Sequence, residues 1–139
     1  MKYTMANAPE DAGGPARADR AASSVVMRIP GSADFLRLAR YAAADAAARA
    51  GLGLDGVDDV RLAVSELCSL MAGPGLNIEL TFVAVDDGVE VEGVGAPGEQ
   101  HGGENGELAR TLVAAVVDEF NFDVEANRAR FRIVKRHER

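Results

Sequence analysis

Asp55-Gly56-Val57-Asp58-Asp59-Val60-Arg61-Leu62-Ala63-Val64-Ser65-Glu66-Leu67-Cys68-Ser69-Leu70-Met71 is the segment on which the fold turns. Val57, Val60, Val64, Leu67 and Met71 recur at three- and four-residue steps, which places them on one face of a helix. Asp55 is positioned to cap its start. Asp58 and Asp59 fall in the first turn, where the helix dipole favours negative charge. Gly73-Pro74-Gly75 then stops it. Leu62 and Leu70 lie off the main stripe, one turn to either side of Glu66, so this helix is apolar on a second flank.

Working outward towards the N-terminus, Val25, Val26, Met27 and Ile29 predict a short strand ended by Pro30 and Gly31. Ser32 caps a helix expected to run to about Ala50, with Gly51 closing it. Phe35, Leu38, Ala39, Ala42 and Ala46 are expected on its core side. Arg37, Arg40, Tyr41, Ala44 and Ala48 are expected on the opposite face. Arginine and tyrosine among small residues offer contact area and charge-assisted bonds, so Arg37, Arg40 and Tyr41 are candidate partner-binding residues.

Towards the C-terminus, residues 76–85 predict a strand. Asp86-Asp87-Gly88 is a hairpin turn, and Val89, Val91 and Val94 continue on the return strand. Gly95 to Gly106 reads as a glycine-rich loop. Glu107 to about Asp118 predicts a third helix with Leu108, Leu112, Ala115 and Val116 inward. Two strands close the chain. The first includes Phe120 and Phe122, and a turn near Asn127 follows. On the second, Ala129, Phe131 and Ile133 share one face, and Arg128, Arg130, Arg132 and Val134 share the other. The order β-α-α-β-β-α-β-β predicts an α+β, two-layer α/β sandwich, with a mixed, mostly antiparallel sheet covered on one face by three helices.

The 139 residues, 47% hydrophobic, amount to one domain, expected over residues 24–135. Residues 1–23 lack apolar periodicity and read as a disordered tail, not a secretory signal. Residues 136–139 read as a C-terminal tail. The net charge of −7 argues against non-specific nucleic-acid binding, and no stretch approaches a membrane span. Cys68 is the only cysteine, which suits a reducing cytoplasm, and its small apolar character predicts a core position. His101 and His137 have no metal-ligand spacing, so no metal site is expected. The 13 arginines against 2 lysines fit a bacterium with a GC-rich genome.

The run Asp58 to Cys68 resembles the central helix of anti-sigma-factor serine kinases, which belong to the histidine-kinase-like ATPase superfamily. The element order and the passage Asp118-Glu119-Phe120 extend the resemblance over roughly residues 24–135. It implies the histidine-kinase-like ATPase fold. The family's activating Glu maps onto Glu66, the candidate catalytic residue; a solvated helix carboxylate is the alternative reading. The family's magnesium-holding Asn maps onto Leu70, which has no oxygen for a hard cation. The adenine motif, Asp-x-Gly-x-Gly, maps onto Glu92-Gly93-Val94-Gly95-Ala96-Pro97-Gly98. Its Asp falls near Gly95, and Glu92 and Glu99 stand out of register. Candidate nucleotide-binding residues are therefore Glu92, Gly93, Gly95 and Gly98. In Gly102-Gly103-Glu104-Asn105-Gly106-Glu107-Leu108, glycine is kept, but Glu104 and Glu107 repel phosphate.

These departures predict a collapsed pocket filled by leucine, with no cofactor; a working pocket would take ATP and magnesium. The resemblance implies a sigma factor and an anti-anti-sigma factor as partners, and a possible homodimer. The leading expectation is an anti-sigma-factor-like module that sequesters its partner by binding. An active serine kinase using Glu66 on an anti-anti-sigma factor is one alternative. A signalling or dimerisation module unrelated to sigma factors is another.

Overall fold

The computed structural model describes residues 24–138. Segment 1–23, read above as a tail, and Arg139 lie outside the described residues. Strands β1 (Val25–Pro30), β2 (Asn77–Val85), β3 (Gly88–Gly95), β4 (Glu119–Glu125) and β5 (Arg128–Arg136) form one sheet in the order β1-β2-β3-β5-β4. Helices α1 (Ala33–Arg49), α2 (Leu54–Ser69) and α3 (Gly103–Val116) complete the α+β sandwich.

Every strand pairing is antiparallel, where a mixed sheet was expected. The connections explain this. Two successive helices, α1 and α2, return the chain so that β2 runs opposite to β1. One helix, α3, leaves β4 running with β3, but β5 inserts between them and opposes both. No crossover therefore joins two neighbouring strands.

Alternation along the strands sends Ile29, Ile78, Leu80, Phe82, Val89, Val91, Phe131 and Ile133 to the helix-covered face, where all are buried. Gly93 faces the same side, and the Phe131 ring lies where a Cβ would stand. The opposite face carries Glu79, Glu92, Arg130 and Asp123, and the hydrogen-bonded trio Arg132, Glu90 and Glu119.

The stripe expected on α2 is largely found: Val60, Val64, Leu67 and Met71 are fully buried, and Val57 is half-buried. The N-cap is Gly53 and not Asp55. On α1 the buried face is Leu36, Ala39, Ala43 and Ala47, where Phe35 and Leu38 were expected. The small side chains let α1 lie close against α2, and that rotates Phe35 and Leu38 outward. Helix α3 begins at Gly103, inside the predicted loop, which also holds a 3-10 turn at Glu99–His101. Its buried residues are Gly106, Ala109 and Val113; Leu108, Leu112 and Ala115 are exposed instead of inward. Gly106 sets this rotation, because it rests directly on the His101 carbonyl and leaves no room for a side chain.

The turns follow their residues. Gly51, at φ +90°, ends α1 with Leu52 N–H donating to the Ala47 carbonyl at 3.1 Å. Ala126 and Asn127 both have positive φ, as a two-residue hairpin turn between β4 and β5 requires. Strand β5 includes Arg136, and His137 beyond it donates its backbone N–H to the Asp87 carbonyl at 2.8 Å.

Candidate functional site

Two surfaces collect the candidate residues. The first is the cleft between α2 and α3, whose two ends are tied. At one end the Lys135 ammonium, from β5, lies 3.0 Å from the Asp59 carboxylate on α2 and donates to the Val116 carbonyl at the end of α3 (2.8 Å). At the other end the Gly98 N–H donates to the Leu70 carbonyl at 2.8 Å, and the His101 N–H donates back to Gly98, leading into α3.

Asp59, Leu62, Glu66 and Leu70 follow one another at three- and four-residue steps, so they share the flank of α2 that faces α3. On α3, Arg110 stacks over Phe122 of the outermost strand, at 4.9 Å. Leu108 and Leu112, two positions to either side of Arg110, fall on the side of α3 away from Phe122. Glu66 is half-buried on this cleft and makes no hydrogen bond or ion pair with the described residues. Leu62, Leu108 and Leu112 are 37%, 59% and 38% exposed. Leu70 is buried at 2% exposure and contributes only its carbonyl.

Of the nucleotide-binding candidates, Gly98 lies at the Leu70 end of this flank, one turn beyond Glu66, while Glu92 lies on the other face of the sheet. Glu92 is exposed on the sheet face away from the helices, cross-strand from Arg132. Gly93 faces inward under the Phe131 ring. A Cβ on Gly95 would come 2.8 Å from the Asn77 carbonyl, and one on Gly98 would collide with the Ala72 carbonyl. The glycines at 93, 95 and 98 are thus required by packing: the chain after β3 lies directly on the C-terminal end of α2.

The second surface is the outer side of α1. Arg37 and Tyr41 are exposed there, and Arg40 is half-buried at its edge. Phe35, Leu38 and Tyr41, at steps of three, are 42%, 46% and 62% exposed. Phe35 and Leu38 share a helical face with Ala39, Ala42 and Ala46 in the sequence, and that periodicity alone points them inward. The alanine series Ala39-Ala43-Ala47, at strict four-residue spacing, is the signal that could have found them. Beside this strip, a groove of about 100 Å3 between α1 and the sheet edge is lined by Val25, Ala42, Ala46 and Phe82.

A cavity of about 470 Å3 lies elsewhere, between the α1–α2 turn and the chain end, lined among others by Gly53, Leu54, Arg136 and His137. It contains none of the predicted site residues. The His137 ring donates from Nε2 to the Ala50 carbonyl at 2.7 Å, on its rim. Cys68 is fully buried, and burial pushes its thiol up to about 12.

No helix among the described residues is long and apolar enough to cross a membrane. Compared with known proteins, the chain matches no family model and no curated protein.

Proposed function

We propose that this protein is an anti-sigma-factor-like cytoplasmic regulator, which acts by binding a sigma factor, an anti-anti-sigma factor or both, with nucleotide binding weak or lost. The observation that carries this reading is the exposed strip Phe35-Leu38-Tyr41 on α1, with Arg37 beside it. Three large apolar or aromatic side chains on one helix face, next to a guanidinium, are the composition of a protein-binding surface. The resemblance of Asp58–Cys68 to the central helix of the anti-sigma kinases supplies the partner class.

Weak nucleotide binding is supported by the tied end of the α2–α3 cleft. By the resemblance, Leu70 maps onto the family's magnesium-holding position, and Gly98 packs on the Leu70 carbonyl. The second reading, an ATP-dependent serine kinase, is favoured by Glu66, which is half-buried on a flank with Leu62 and Leu70.

Calorimetric titration with magnesium–ATP separates the two. No binding heat supports the sequestering regulator, and micromolar binding lost in Glu66→Gln would replace it with the kinase. For the partner, purified alternative sigma factors of the source bacterium are titrated against the parent chain and Phe35→Ser/Leu38→Ser. Submicromolar binding that the double variant loses is the expected result. Failure of all of them to bind would leave the signalling-module reading.

A further inference from the structure

We propose that the α2–α3 cleft is a docking groove for a basic amphipathic helix of a protein partner, on a surface separate from the α1 strip. This inference rests on the exposed leucines and unpaired carboxylates of α2 and α3 and not on the sigma-factor reading.

Leu62 sits one turn inward from Asp59, and Leu112 one turn inward from Val116. The Lys135 contacts bring those two ends together. The leucines therefore flank the same stretch of cleft, with Leu108 a further turn along α3. Exposed apolar anchors a turn apart on two adjacent helices are the seat that a third helix requires, at an axial spacing of about 8–10 Å.

Charge decides what kind of helix fits. Glu66 follows Leu62 by one turn, and Glu104 precedes Leu108 by one turn on the same strip of α3. Neither has a hydrogen bond or ion pair among the described residues. The cations of these two helices are already engaged. Arg61 pairs with Asp58 at 2.9 Å, and Arg110 is turned away over Phe122. Lys135, at the cleft end, is held by Asp59. The groove thus offers leucines rimmed by free carboxylates, within a chain of net charge −7. An anionic ligand such as a nucleotide is repelled, and a helix with lysines or arginines flanking an apolar stripe finds both partners.

The test uses the full chain with methyl-labelled leucines, titrated with a leucine–lysine amphipathic peptide and, separately, with its leucine–glutamate counterpart. The lysine peptide is expected to bind, to shift the methyls of Leu62, Leu108 and Leu112, and to weaken as salt is raised. Leu108→Gln/Leu112→Gln should weaken it about tenfold or more. Leu54→Gln, which removes an exposed leucine elsewhere, should leave it unchanged. Glu66→Gln/Glu104→Gln, with the leucines intact, should also weaken it. Equal binding of both peptides would overturn the proposal, as would methyl shifts centred on Leu38. Concentration-dependent shifts of the cleft leucines without peptide would assign the groove to a second copy of this chain instead.

Discussion

Lys135 and Asp59 form an ion pair of 3.0 Å between the last strand and the central helix, and the same ammonium caps the Val116 carbonyl at the end of α3. With Lys135 only 16% exposed, the contact is sheltered on the helix-covered side of the sheet. One side chain thereby ties three elements and sets how α2 and α3 face each other.

Replacing Lys135 with Met leaves both the Asp59 carboxylate and a helix-end carbonyl short of a donor. A loss of about 1–3 kcal/mol in urea unfolding is expected. Arg49→Ala, which breaks the exposed pair with Asp45, should cost less than about 0.5 kcal/mol. Equal losses would show that the Lys135 contacts carry no special weight.

Gly93→Ala drives a methyl group into the Phe131 ring. Overpacking of this kind costs about 1–3 kcal/mol. Combined with Phe131→Leu, the loss should be smaller than the sum of the two single losses, because the shorter side chain vacates the space. Additive losses in thermal melts would locate the role of Gly93 elsewhere.

The rotation of α1 yields a pair of unequal outcomes one residue apart. Leu36→Ala should cost about 2–5 kcal/mol, as a buried leucine does. Phe35→Ser should cost clearly less than Leu36→Ala, because that ring is 42% exposed and loses only part of a buried side chain's transfer energy. The reverse order would restore the core face expected from the sequence.

Glu119 accepts hydrogen bonds from Arg136 and Arg132, and these hold its carboxyl below the usual carboxylate range. A depressed folded value means that its stabilisation is complete above the unfolded value of about 4.3 and is lost as pH falls through the folded value. Glu119→Gln should therefore flatten the stability curve in that acid window and leave its shape near neutral pH unchanged. A parent-like acid slope in the variant would refute this.

The Cys68 thiol, raised to about 12 by burial, has almost no thiolate at pH 8. Folded protein should resist a thiol-modifying disulfide reagent and react fully once unfolded in urea. Rapid labelling of the native chain would mean that the α2 packing opens readily.

The sequence by itself determined the elements, their order and the stops between them. Periodicity, Gly51, Gly73-Pro74-Gly75 and the hairpin residues act locally, within a few positions along the chain. The α2 stripe was legible for the same reason, because Val57, Val60, Val64, Leu67 and Met71 recur at one helical period. Only the tertiary structure decided which face of α1 and α3 is buried. Where alanine and glycine allow backbones to approach, close contact outweighs the transfer of single large side chains, so Phe35, Leu38, Leu108 and Leu112 stay outside. Alternation along β3, with Val91 and Gly93 inward, places Glu92 on the sheet face away from the helices and so away from Glu66. The meeting of Asp59 with Lys135, 76 positions later, had no sequence signal, since nothing local to either residue encodes it.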